Sequence, residues 1–258
     1  MRKLLVILNV GLFFAACSPN NVQVNEEIGK YFDSTGVKGT FALFDNGTGD
    51  FTIYNLNRYK DSAYSPASTF KVVHSLIALE TGVVSDEKMT IQLDSAVTME
   101  TAFKNSIVPY YQEVARRIGK DTMQFWLDSL KYGNHTIGKS IDSFWLNNTI
   151  KLTPDEQLGI MKRLFFNQLP FQKRTHEIVK RMMLRESNAN YQLSYKTGLT
   201  YTEKGDQLGW VVGWIEENKH PYFFVLNVEA LANNSLVDAR ISLLKKILSN
   251  QGFFEGKR

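Results

Sequence analysis

Pro66-Ala67-Ser68-Thr69-Phe70-Lys71-Val72-Val73-His74-Ser75-Leu76-Ile77-Ala78-Leu79-Glu80 is the stretch on which the fold turns. From Phe70 to Glu80 it is apolar on most faces and it stops at Gly82, which predicts a buried helix. A lysine in such a helix is costly, because burying an ammonium strongly lowers its pKa. Ser68 precedes Lys71 by three residues, so hydroxyl and amine share one helical face a turn apart. The amine can then take the hydroxyl proton where the helix N-terminus favours negative charge. The same spacing recurs at Ser85/Lys88 and Ser242/Lys245, and a chain of this length holds about one such pair by chance. Ser85 lies in an acidic turn and Ser242 on an amphipathic terminal helix, so both read as solvated surface.

Outward from this helix the periodicity changes. Upstream, Gly39 to Asp45 and Phe51 to Asn55 are β-prone runs around a Gly/Asn-rich turn, which predicts a hairpin. Downstream to about Arg185 the pattern is helical. Asp121 with Gln124, and Thr153-Pro154-Asp155-Glu156, have the form of capped helix starts. Strand character returns at Tyr191 to Thr197, Leu208 to Glu216 and Tyr222 to Val228, and Ile241 to Leu248 closes the chain as an amphipathic helix. This order predicts an α/β fold: an antiparallel sheet flanked by helices, with an inserted all-helical domain. The sheet domain would be discontinuous, 22–65 with 186–258, and the helical domain would span 66–185.

The chain has 258 residues, 43% hydrophobic and 22% charged, with 30 basic and 26 acidic side chains. That composition is globular and excludes disorder, collagen and coiled coil. At its N-terminus Arg2-Lys3 precede an apolar stretch, Leu4 to Ala16, too short to span a bilayer and expected to be a signal peptide over residues 1–17. Without Arg2 and Lys3 the count is 28 basic against 26 acidic side chains, which leaves no footprint for nucleic acid. Phe14-Ala15-Ala16-Cys17 is similar to the lipobox of bacterial lipoproteins, with Phe where Leu is usual, so Cys17 is the expected lipid-bearing residue and the protein is expected to be exported, periplasmic and membrane-anchored; the alternative is a plain secretory peptide cut near the same place. Cys17 is the only cysteine, so no internal disulfide can form.

Gly133-Asn-His-Thr-Ile-Gly-Lys139-Ser140 satisfies the Walker A pattern, but a P-loop needs a strand before it and a helix after it. Here a helix, Asp121 to Lys131, precedes it and no helix follows. His74, His135, His176 and His220 are far apart, which argues against a zinc site, and no Gly-x-Ser-x-Gly elbow occurs.

Lys196-Thr197-Gly198 occurs once, at the end of a predicted strand. With Ser68-x-x-Lys71 it completes the outline of the penicillin-recognising serine enzymes. Pro66 to Lys71, Ser106-Ile107-Val108, Tyr132-Gly133-Asn134, Phe144-Trp145-Leu146 and Trp210-Val-Val-Gly-Trp214 together resemble the class D, oxacillinase-type, β-lactamases. The resemblance implies the β-lactamase/penicillin-binding transpeptidase-like fold and hydrolysis of β-lactam antibiotics through a serine acyl-enzyme. It implies that Ser68 is the nucleophile and that the backbone N–H groups of Ser68 and Leu199 form the oxyanion hole. It further implies that Lys71 is carboxylated by carbon dioxide or bicarbonate to N6-carboxylysine, the general base, with the Trp145 indole steadying the carbamate. No other cofactor and no metal is implied. Ser106 would relay a proton to the departing lactam nitrogen. Lys196, Thr197, Gly198 and Arg240 would hold the substrate, the first two and Arg240 through its carboxylate, while Val108, Leu146 and Tyr132 would line it. The segment from Lys71 to Ser106 is short for the family, which bears on the substrate spectrum. Two rivals share these motifs: a β-lactam sensor domain that acylates without turnover, and a cell-wall transpeptidase or carboxypeptidase. The oligomeric state is expected to be monomer or dimer.

Overall fold

The computed structural model describes residues 21–231 and 235–258; Cys17 and the expected signal peptide lie outside them. A seven-stranded sheet forms the centre, in the order β1-β3-β2-β9-β8-β7-β6. Its strands are β1 (Val22–Val24), β2 (Lys38–Asp45), β3 (Phe51–Tyr54), β6 (Leu184–Ser187), β7 (Tyr191–Tyr201), β8 (Gln207–Glu217) and β9 (His220–Ala230). Neighbours are antiparallel except β1 and β3, which run parallel.

Side chains alternate across the sheet with the strand period of two. On one face Ala42, Phe44, Trp210, Val212, Trp214, Phe223 and Val225 join a large apolar cluster with α3 (Lys71–Glu80), α5 (Val108–Ile118), α6 (Lys120–Leu130), α7 (Pro154–Phe165) and α8 (Lys173–Met183). On the other face Phe41, Leu43, Val211, Ile215, Phe224, Leu226 and Val228 pack with α1 (Gly29–Thr35) and α9 (Leu236–Asn250). Both faces are therefore buried, and this is why β8 and β9 read as nearly unbroken apolar runs rather than as alternating ones.

Several expectations are corrected here. The segment expected to be all-helical also carries a small antiparallel hairpin, β4 (Thr90–Gln92) and β5 (Ala96–Thr98), before α4 (Met99–Asn105). Sheet pairing starts at Leu184, two residues before the expected boundary. Asp121 does not cap α6; Gly119 holds the cap position and Asp121 sits in the first turn. Helix α9 starts at Leu236, five residues earlier than the apolar period shows, because Ser235 caps it by accepting the Val237 N–H. Residues 131–153, which include the Walker-like stretch, form turns between α6 and α7 with no helix following Ser140. Among the described residues no helix is long and apolar enough to cross a membrane.

The start of α7 matches its sequence signature. Thr153 accepts the Glu156 N–H, Glu156 reaches back to the Thr153 N–H, and Pro154 occupies the first helical position. Thr153→Ala should lower stability by about 1 kcal/mol by removing this cap. Urea unfolding measures the loss, and an unchanged midpoint would show the box to be idle.

Candidate active site

Ser68 sits in the 3-10 turn Ala67–Phe70 that runs directly into α3. Three elements distant in sequence fix this turn. The Trp210 indole of β8 donates to the Ser65 carbonyl at 2.8 Å, and the Ser65 hydroxyl donates to the Trp145 carbonyl at 2.9 Å. The Thr69 hydroxyl donates to the Pro66 carbonyl at 2.7 Å and accepts from the buried Gln157 amide of α7 at 2.7 Å. Ala67 has φ of 50°, a left-handed conformation that costs an ordinary residue about 1–2 kcal/mol. The packing around Ser68 sustains that strain.

The Lys71 amine donates to Ser68 Oγ at 2.9 Å. Lys71 is fully buried, its Nζ lies 5.1 Å from the centre of the Tyr111 ring, and burial pushes its pKa down to about 7. An amine poised near neutrality beside a hydroxyl is what a general base requires. Trp145 is also fully buried, and its indole N–H has no partner.

A second lysine–serine pair faces the first. Ser106 ends α4 in a left-handed conformation, φ 57°, and accepts a hydrogen bond from Lys196 Nζ at 2.6 Å. Lys196 Nζ also donates to the Thr197 carbonyl at 2.9 Å. Burial, with Lys71, Arg185 and Arg240 nearby, holds the Lys196 amine well below the usual lysine range. An anion entering the site would favour the charged forms of these buried bases and so be attracted there.

Strand alternation turns Lys196 and Gly198 of β7 toward Ser68, while Tyr195 and Leu199 pack on the opposite, α9, face. By the same period Thr197 belongs to that face. Arg240 is there too: its stem crosses β8 at Gly209, the register partner of Leu199, and its guanidinium donates to the Leu236 carbonyl at 2.6 Å. Burial brings its pKa down to about 10. Strand β6 pairs with β7 only as far as Ser194, so from Tyr195 onward β7 has a strand on one side alone. Val108 and Leu146 are half-buried, and the Leu146 carbonyl accepts from Thr200 Oγ1 at 3.0 Å.

The structure thus brings Ser68, Lys71, Ser106, Trp145, Lys196 and Gly198 to one place, whereas the side chains of Thr197 and Leu199 lie on the other face of the same strand, with Arg240 of α9. Tyr132 is a correction. It is buried, its ring centre 5.5 Å from that of Phe70, so it supports the Ser68 turn from behind and has no surface to offer a substrate. Asn134 likewise ties down its own loop, bonding the Thr149 carbonyl and the Lys151 N–H. Sequence reasoning did not find Ser65, Thr69, Gln157 or Tyr111, nor Arg185, which spans from the Lys104 carbonyl to the Tyr195 carbonyl beside the second pair. A polar Gln157 among the apolar positions of α7 was the one available signal. Among the described residues no group of three or more His, Cys, Asp or Glu side chains is placed to hold a metal ion.

Gly198 shows how closely β7 passes the Ser68 turn: a Cβ there would lie 2.8 Å from the Pro66 carbonyl oxygen. Gly198→Ala should therefore cost about 1–3 kcal/mol through overpacking and lengthen the Ser68–Lys71 hydrogen bond. Thermal unfolding and a crystal structure of the variant test this; wild-type stability with unmoved Ser68 would contradict it.

Comparison with known proteins agrees with this arrangement. A family profile described as the penicillin-binding protein transpeptidase domain matches residues 29–249. The chain is 34% identical over 239 residues to β-lactamase OXA-48 of Klebsiella pneumoniae, covering 89% of each. Among solved structures it is similar to a class D β-lactamase from Sebaldella termitidis, with TM-score 0.85 and 28% identity over 90% of this chain and 97% of that one. It is similar also to the C-terminal domain of the Bacillus licheniformis BlaR penicillin-receptor, with TM-score 0.83 and 27% identity over 91% and 98%. By sequence, fold and the joint presence of the Ser68–Lys71 and Ser106–Lys196 pairs, the chain belongs to the class D β-lactamases within the penicillin-binding transpeptidase family.

Proposed function

We propose that the protein hydrolyses β-lactam antibiotics through an acyl-enzyme on Ser68. The observation that carries this reading is the buried Lys71 amine 2.9 Å from Ser68 Oγ, poised near neutrality by burial. Lys71 takes the Ser68 proton as Oγ bonds to the lactam carbonyl carbon. The lactam C–N bond breaks, and its nitrogen receives a proton from the Ser106 hydroxyl, which Lys196 Nζ replenishes across 2.6 Å. Backbone N–H groups of Ser68 and Leu199 would stabilise the oxyanion. The surroundings of Lys196 suit the substrate carboxylate, and Arg240, one of whose guanidinium nitrogens is held by the Leu236 carbonyl, would add its charge from the other side of β7. The proton taken up by Lys71 makes good the one that Lys196 gave, and deacylation then repeats the base step with water as the nucleophile, Lys71 taking a water proton and returning it to Ser68 Oγ as the ester C–O bond breaks.

The site also fits a carboxylated Lys71. A neutral amine lone pair bonds to the carbon of carbon dioxide, one C–O π pair moves onto oxygen and a proton leaves the nitrogen. The carbamate so formed supplies a carboxylate base in place of the amine. Its negative charge needs donors, and the unpartnered, buried Trp145 indole N–H is one. Export with a lipid on Cys17 belongs to the same proposal and rests on the leader sequence alone.

The similarity to a penicillin-receptor domain keeps one rival in view, a protein that acylates and stops. Steady-state assay of purified protein with a penicillin separates them. Hydrolysis of many equivalents of substrate is expected, with turnover abolished in Ser68→Ala and a trapped adduct mapping to Ser68. A single stoichiometric burst would make the protein a sensor. An adduct on Ser85 or Ser242 would refute the site.

A further inference from the structure

His74 follows Lys71 by one helical turn on α3, so the two side chains leave the helix on the same side. It is fully buried, and neither ring nitrogen has a hydrogen-bond partner. An unpaired buried imidazole is costly, and a leucine would fill a similar space without that cost. Packing therefore does not account for a histidine here. Its ring centre lies 5.1 Å from that of Tyr111, 5.2 Å from Trp145 and 5.4 Å from Phe70. Lys71 Nζ sits 5.1 Å from the centre of the same Tyr111 ring. Three unpaired polar atoms, two on His74 and one on Trp145, thus belong to two residues in edge contact beside a single buried lysine.

Burial and the Lys71 charge push the imidazole pKa down to about 3. The ring is neutral, with one N–H donor and one acceptor nitrogen. A cationic Lys71 repels that donor, whereas an anionic group at the same position would attract it.

We propose that His74 is a positioning residue for the carboxylated form of Lys71, its ring N–H donating to the carbamate directly or through one water and acting alongside the Trp145 indole. This rests on the carbamate reading above. It explains why a histidine with no partner occupies the interior next to the reactive lysine.

The test is carbon-13 NMR of the full-length protein titrated with labelled bicarbonate at one fixed pH. Wild type is compared with His74→Leu, His74→Asn and His74→Gln, the two amides placing a donor near Nδ1 and Nε2 respectively. Losing one hydrogen bond to a charged group should raise the bicarbonate needed for half-maximal carbamate signal roughly tenfold or more in His74→Leu. At least one amide variant should return it to within about threefold of wild type, since a hydrogen bond to an anion is restored. If His74→Leu does not fold, as judged by circular dichroism, His74→Met takes its place as the variant without a donor. An unchanged half-saturation in the apolar variant would overturn the proposal, as would amide variants no better than the apolar one, because either result makes His74 a packing residue. A wild type without carbamate signal at any bicarbonate concentration refutes the carbamate reading itself and this inference with it. A wild-type signal that is indifferent to His74 refutes only the inference.

Discussion

The hydrogen bond from a fully buried Lys71 amine to Ser68 Oγ is the constraint on which the rest of the structure depends. A lysine in the interior is stable only when its charge is removed, because the desolvation penalty for an ammonium exceeds what its surroundings return. Neutralising it turns a liability of the fold into a base. The Tyr111 ring beside its Nζ, and the stacked Phe70 and Trp145 buried in the same cluster, keep bulk water away and so set the chemistry as much as the packing. The linkage has a sign: with a native pKa lowered toward 7, this lysine holds fewer protons in the folded than in the unfolded chain between about pH 7 and its ordinary value of 10.5. Its contribution thus destabilises the fold at neutral pH and is relieved as pH rises toward 10.5.

Local strain in the site is carried by long-range bonds. Ala67 and Ser106 both occupy left-handed backbone conformations immediately at the two reactive hydroxyls. Each is held from outside its own segment: the Ala67 turn by Trp210, Gln157 and the close passage of Gly198, and Ser106 by Lys196. Strain at such positions persists only where the surroundings over-determine it. The central sheet supplies that rigidity, since β8 and β9 are buried on both faces and paired along their whole lengths.

How much of this was legible in the sequence follows from the range of the interactions. Helix α3 and the reactive pair could be read because an apolar run, a stop at Gly82 and a lysine in the wrong place all lie within fifteen residues. Strands β8 and β9 could be read because burial on two faces writes itself as continuous apolar composition. The capping box at Thr153 is local and was visible for the same reason. Strands β1 and β6 are three and four residues long, too short for a period to show. The Gln157–Thr69 bond joins residues 88 apart, and no composition signal reports such a pairing. Tyr132 was misplaced because motif order specifies proximity to the site and not the side from which a ring approaches it. His74 carried meaning only once Trp145 and Tyr111 were seen to enclose it.

Burial brings the ionisation of Lys71 down to neutral pH, where a large share of it is the free amine, and that ionisation can be measured directly. Protein carrying carbon-13 at lysine Cε, held free of carbon dioxide, can be titrated by two-dimensional NMR with the Lys71 signal assigned by its loss in Lys71→Met. A midpoint near 7 is expected, where burial places it. A midpoint near the ordinary lysine value of 10.5 would contradict it.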